Sequence, residues 1–231
     1  MKRVLITGAS RGIGRAIAEE LAAPETFLLL HGRDESALAE VKRVVEERGA
    51  QAEIATCDLA DAAAVTSMAD DLARAPLDVL INNAGIAVVK PLAEVSFGEW
   101  ERTLAINVTA PFLLTQAFAP GMPAGGSIVN ILSIAAKTGF EGWCAYCMSK
   151  FALEGFSQSV RAELRARGLR VINIYPASTD TEIWDAVEGE WPREKMMSAA
   201  QIAGAVAYSL AQPGSVAVEN ITLSNTAGTL D

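Results

Sequence analysis

Short apolar runs alternate along the chain with longer stretches in which apolar positions recur every three or four residues. The runs "RVLIT" (Arg3–Thr7), "TFLLLHG" (Thr26–Gly32), "AEIATCDL" (Ala52–Leu59) and "LDVLINNAG" (Leu77–Gly85) predict four strands. "GGSIVNILS" (Gly125–Ser133), "LRVINIYP" (Leu169–Pro176) and "VENITLS" (Val218–Ser224) predict three more. The amphipathic stretches Ile13–Ala23, Asp34–Gly49, Asp61–Ala75, Ser96–Pro120, Cys144–Gly168 and Ser198–Gln212 predict helices between them. Asp34 and Asp61 are cap candidates, and Pro24 and Gly49 are stops. The strands are continuously apolar, as in strands buried on both faces of a parallel sheet. Repeated strand–helix alternation then gives an α/β fold, a doubly wound sheet of about seven strands with helices on both faces. One domain covering residues 1–231 is expected, with no internal repeat or linker. Ligands of such sheets bind beyond the carboxyl ends of the strands.

Composition narrows the function classes. Of 231 residues 51% are hydrophobic, enough for one sizeable core. A net charge of −9 disfavours nucleic acid and anionic membrane surfaces as partners. No apolar run approaches the roughly 20 residues of a membrane span, and no signal peptide is visible, so a cytoplasmic location is expected. Cys57, Cys144 and Cys147 make no secreted disulfide framework. Cys144 and Cys147 form a C-x-x-C, but His31, the one histidine, is far away in sequence, and no metal site is expected. Both cysteines read as small helix residues.

Candidate chemistry gathers at the strand ends. After the first strand comes "TGASRGIGRA", with Gly8, Gly12 and Gly14 between strand and helix. Glycines there permit a tight turn and a close backbone approach to a pyrophosphate, while the helix N-terminus offers N–H groups. Further on, Tyr146 stands four residues before Lys150, which on a helix places phenol and ammonium on one face. Asn107 lies inside a predicted helix, where its amide competes for backbone hydrogen bonds.

"TGASRGIG", "NNAG" (Asn82–Gly85) and Tyr146-x-x-x-Lys150, with Ser133 thirteen residues before the tyrosine, together resemble the short-chain dehydrogenases/reductases over nearly the whole chain. The resemblance implies a Rossmann-like fold and an oxidoreductase that passes a hydride between a nicotinamide and a small carbonyl or alcohol. It makes Tyr146 the proton-exchanging group. Lys150 would lower the phenol pKa by its charge and bind the nicotinamide ribose. Ser133 would hydrogen-bond the substrate oxygen, and Asn107 would hold a water that relays protons to the lysine. By the same resemblance Gly8, Ser10, Arg11, Gly12, Ile13 and Gly14 cradle the cofactor, and Asp58 and Leu59 meet its adenine. Asn83, Ala84 and Gly85 line the adenosine side, and Pro176, Thr179 and Thr181 meet the nicotinamide amide. In "YPASTDTE" Ala177 replaces the family's usual glycine, which leaves the Thr181 loop open. The family commonly pairs two long helices across a two-fold axis, so a homodimer or homotetramer is expected.

Cofactor choice can be read at the end of the second strand, "LLLHGRDE". An acidic residue there binds both ribose hydroxyls of NAD(H) and repels a 2′-phosphate. Gly32 does neither, and Arg33 and Arg11 would grip the phosphate of NADP(H). A one-residue shift of the strand would bring Asp34 to the ribose and admit NAD(H). The segment at about 180–198 is the expected substrate lid, with Trp184 and Trp191 facing Trp143 and Phe140. These aromatics either line an apolar pocket or merely pack the lid. Four acids in the lid (Asp185, Glu188, Glu190, Glu194) disfavour a large anionic carrier. The alternatives are a 3-oxoacyl-thioester (acyl carrier protein) reductase and a non-catalytic NADP-sensing regulator, which would not need the Ser133, Tyr146 and Lys150 set.

Overall fold

The computed structural model describes residues 1–187 and 189–226; Glu188 of the lid and the last five residues of the expected domain lie outside the described residues. Seven parallel strands form one sheet: β1 (Lys2–Ile6), β2 (Thr26–Gly32), β3 (Gln51–Thr56), β4 (Val79–Asn82), β5 (Ser127–Ile131), β6 (Arg170–Pro176) and β9 (Asn220–Leu223). Their spatial order is β3-β2-β1-β4-β5-β6-β9. The order reverses between β1 and β4, and a crevice opens at the carboxyl ends of the strands on either side of such a reversal. Two further short strands, β7 (Thr179–Asp180) and β8 (Met197–Ser198), pair with each other apart from the main sheet. The sequence pattern does not announce them, since two residues are too few to show a period.

Both faces of the sheet are buried, as the unbroken apolar strands required. On one face Val4, Ile6, Leu28 and Leu30 pack with Ile17 of α1 (Gly12–Leu21), Leu38 and Val41 of α2 (Glu35–Glu47), and Ile202 and Val206 of α7 (Ala199–Leu210). On the other, Leu5, Leu29 and Leu80 pack with Val65 and Ala69 of α3 (Ala62–Leu72) and Leu114 of α5 (Ala110–Phe118). The edge strands depart from the rule: β3 alternates buried and exposed positions, and β9 alternates half-buried and exposed ones. Asp61 caps α3 by accepting from Ala63 N (2.9 Å) and Ala64 N (3.1 Å). Asp34 caps α2 through Ala37 N (3.1 Å).

Several expected boundaries move. The third strand ends at Thr56 and the fourth at Asn82, so Cys57–Leu59 and Asn83–Gly85 are free to turn toward the crevice. The expected helix over Ser96–Pro120 is two helices, α4 (Phe97–Leu104) and α5, joined by a wide π-type turn over Ala105–Thr109. Asn107 sits in that turn and is buried. Its polar side chain forced the break: a buried amide must be satisfied, and the widened turn directs it at the loop after β4. The other long helix, α6, runs Cys144–Leu164, and Gly168 beyond it adopts φ +71°, a left-handed stop. No helix among the described residues is long and apolar enough to cross a membrane.

Candidate active site

The glycine loop sits at the reversal point, between β1 and α1. Gly8 and Gly12 adopt φ of +67° and +53°, which side chains with a Cβ resist. Gly14 is a glycine for a different reason, because a Cβ there would lie 2.1 Å from Gly8 O. Asn83 and Thr7 tie this loop to the end of β4. Thr7 Oγ1 accepts from Asn83 N and Ala84 N, each at 3.0 Å, while Asn83 Nδ2 donates to Thr7 O at 2.9 Å.

Two cavities meet at this point. One, of about 220 Å³, runs from Gly8, Ser10, Arg11 and Gly12 to Arg33, Asp58, Leu59 and Ala84. The other, of about 180 Å³, is lined by Ser133, Tyr146, Lys150, Pro176, Thr179 and the tryptophans. Ile13, Asn83, Gly85, Thr181 and Ile183 border both. Of the cofactor-site residues expected from the sequence, all but Gly14 line this crevice, and Gly14 packs behind the loop against Gly8 O. Gly32, read from the sequence as the strand end at the ribose, lines it too, as do His31, Cys57 and Ile106, which were not singled out although the strand-end rule pointed at His31 and Cys57. Nothing in the sequence signals Arg102 of α4, which pairs with Asp58 at 3.1 Å. Asp58 also accepts from Ala60 N (3.0 Å), and these bonds hold its carboxyl below the usual range.

Tyr146 and Lys150 rise one turn apart on α6, and Ser133 follows the end of β5. The Ser133 hydroxyl stands beside the Tyr146 phenol and accepts from Ala135 N at 3.1 Å. Lys150 Nζ donates to Ile131 O at 2.9 Å, and it stands 5.5 Å from the centre of the Tyr146 ring. The expected depression of the phenol pKa is not found. Burial pushes Tyr146 up to about 12, more than the neighbouring Ser133 hydroxyl can offset. Burial also pulls Lys150 down to about 8. Each charged form loses hydration in the same closed floor, and desolvation outweighs the pairing.

Asn107 Oδ1 accepts from Ile86 N and its Nδ2 donates to Ile86 O, both at 2.9 Å; Nδ2 also donates to Ser149 Oγ at 3.0 Å. The amide thus clamps the loop after β4 against α6. Ala177 has an ordinary negative φ, because among the described residues only glycines have positive values. The loop to Thr181 therefore accepts alanine there. Trp184 and Trp191 both pack the lid and line the cavity, which settles the two readings of these aromatics together.

The model of the family described as short chain dehydrogenase matches residues 2–190. The chain belongs to the short-chain dehydrogenases. Among curated relatives, this short-chain dehydrogenase is 40% identical over 200 residues to D-threitol dehydrogenase of Mycolicibacterium smegmatis, covering 82% of this chain and 76% of that one. A short chain dehydrogenase from Burkholderia cenocepacia, solved in complex with NADP, is 32% identical with a TM-score of 0.86 over 96% of each chain. An alcohol dehydrogenase from the archaeon Thermococcus sibiricus, complexed with 5-hydroxy-NADP, is 25% identical with a TM-score of 0.91, covering 100% of this short-chain dehydrogenase and 99% of that chain.

Burial of Lys150 has a measurable consequence for stability. Its folded pKa of about 8 lies below the ordinary 10.5. Between those values the unfolded chain holds a proton that the folded chain has released, so stability gains with pH there, and the penalty is largest below pH 8. Lys150→Met removes that penalty, on the order of 2–3 kcal/mol at pH 7, and forfeits one hydrogen bond of about 1 kcal/mol. Thermal unfolding should place the variant's Tm above that of the native chain at pH 7, with the gap closing toward pH 10. A lower variant Tm at pH 7 would show that the ammonium is better solvated than its burial implies.

Proposed function

We propose that this enzyme transfers a hydride between NADP(H) and a small carbonyl or alcohol compound, with Tyr146 exchanging the proton. The observation that carries this reading is the meeting of the Ser133–Tyr146–Lys150 group with the glycine cradle along one crevice. The cradle suits the cofactor: Gly8 and Gly12 present backbone rather than side chains to the cavity, and α1 begins at Gly12 with no side chain capping its N-terminus. NADP(H) supplies the hydride when bound. The hydroxyl of Ser133 hydrogen-bonds the substrate oxygen and steadies its developing charge. In reduction Tyr146 gives that oxygen its proton, and in oxidation it takes one. Lys150, one turn away, favours the phenolate by its charge. Asn107 Oδ1 keeps one lone pair, and Gly85 leaves open the space between it and Lys150 Nζ, since a Cβ there would lie 3.3 Å from the first and 3.7 Å from the second. A water in that gap relays the proton outward.

NADP(H) is preferred over NAD(H). β2 ends at Gly32, and Asp34 is turned into the start of α2, where its Oδ1 accepts from Ala37 N and Ser36 Oγ, and it does not line the cavity. Arg33 and Arg11 line the same cavity. The bound NADP of the Burkholderia cenocepacia structure agrees with this choice. We also place a self-association surface on α5 and α6, where Phe112 and Phe151 are 42% and 46% exposed.

Three measurements check this reading. Tyr146→Phe should lower kcat by about 10²–10⁴-fold and leave NADPH binding near normal; unchanged turnover rules out the assignment. Native enzyme should use NADPH at least about tenfold more efficiently than NADH, since a charge-assisted bond contributes about 1.5–3 kcal/mol, and Arg33→Ala should erase most of that margin. Equal use of both cofactors would return the ribose to Asp34. Light scattering at micromolar concentration should find a dimer or tetramer, and a monomer would remove the surface on α5 and α6.

A further inference from the structure

We infer that Trp143, Trp184 and Trp191 tune this site for ring-bearing apolar ketones and the matching secondary alcohols, and against polyols and charged substrates. The inference rests on the oxidoreductase reading above and adds the substrate class.

The three indoles form one cluster that reaches the catalytic phenol. Trp143 meets Tyr146 edge to face at 5.5 Å between ring centres, with planes at 66°. It meets Trp184 at 5.8 Å and Trp191 at 6.3 Å in the same manner, and Trp184 and Trp191 lie 4.7 Å apart. Aromatic rings favour such tilted contacts with one another, so another ring entering the cavity meets ready faces and edges.

Several of the polar atoms nearby are turned away from a substrate, although the hydroxyls of Ser178 and Thr181 also line the cavity. Trp184 Nε1 donates to Thr179 O at 2.9 Å, and Trp191 Nε1 donates to Val187 O at 3.3 Å, so the lid consumes both indole donors. Thr179 Oγ1 donates to Ala177 O at 3.0 Å. Asn83 Nδ2 is held by Thr7 O. Among the described residues Lys150 is the one charged side chain lining this cavity, and Ile131 O binds it. Ser133 and Tyr146 can satisfy a single oxygen. The further hydroxyls of a short polyol would be buried against ring faces with few partners, and an unpaired buried hydroxyl is costly. A carboxylate or phosphate would find no cation besides Lys150, which the cofactor ribose also claims in the reading above.

The test measures NADPH oxidation with acetophenone and with erythrulose, a four-carbon hydroxyketone, and NADPH affinity separately by nucleotide fluorescence. Acetophenone should be favoured about 100-fold in kcat/KM, the scale at which pockets discriminate by polarity. Trp184→Ala should cut the acetophenone value at least about tenfold, mainly through KM, and more than the erythrulose value, with NADPH affinity near native. Trp191→Ala should act likewise and Trp191→Phe should restore most of the preference, which separates ring contact from loss of folding. The aryl pocket is overturned if NADPH binds and erythrulose is used as well as acetophenone, if neither ketone is turned over, or if Trp184→Ala lowers both ketones equally. Failure to bind NADPH at all would instead overturn the oxidoreductase reading on which the inference rests.

Discussion

Thr7 and Asn83 hold together the two strands between which the sheet reverses direction. Thr7 Oγ1 accepts from the backbone N–H groups of Asn83 and Ala84 and donates to Ile81 O, and Asn83 returns bonds to Thr7 O and Gly8 O. At a reversal the connecting helices depart to opposite faces, so backbone groups at the strand ends lose their neighbours and must find others. These two side chains supply them. They also fix the glycine loop and the start of the β4–α4 loop at one separation, and the crevice takes its shape from that separation.

From this point a polar chain runs through the sheet to α6. Asn82, Asn130, Asn173 and Asn220 stand in register on adjacent strands. Asn82 donates to Asn130 at 2.9 Å, Asn130 to Ser157 of α6 at 2.8 Å, and Asn173 to Glu154 of α6 at 3.2 Å. Glu154 also pairs with Lys137 and with the Tyr175 hydroxyl. Buried amides are tolerable only when bonded, so the chain permits few registers of α6 against the sheet. Tyr146 and Lys150 lie two turns and one turn before Glu154 on that helix, and their placement follows from the fit. One atom is left over, since Asn82 Oδ1 has no partner among the described residues.

The floor of the crevice buries two titratable groups one helical turn apart. Tyr146 and Lys150 are each driven toward the uncharged form, the first up to about 12 and the second down to about 8. A proton-exchanging phenol in such a floor stays protonated until a neighbouring positive charge favours its release. The lid adds to the dryness. Arg193 braces it from within by donating to Asp180 Oδ1 at 2.8 Å and Thr181 O at 2.9 Å, and Trp184 in it is buried.

The sequence alone determined the layered sheet, because unbroken apolar strands separated by amphipathic helices admit few other burials. It determined the glycine cradle and the Tyr146–Lys150 face as well, since both depend on spacing within one segment. It also assigned Asp34 to the helix cap rather than the ribose, a choice that the strand end at Gly32 upheld. The π-type turn at Asn107 and the pairing of Arg102 with Asp58 came only with the tertiary structure, as did the direction of the phenol pKa. Each depends on groups far apart in the chain: Ile86 and Ser149 for the amide, α4 meeting the turn after β3 for the ion pair, and a closed floor for the desolvation. Spacing fixes which side chains share a face of one element, whereas burial and long-range partners exist only after the elements have packed.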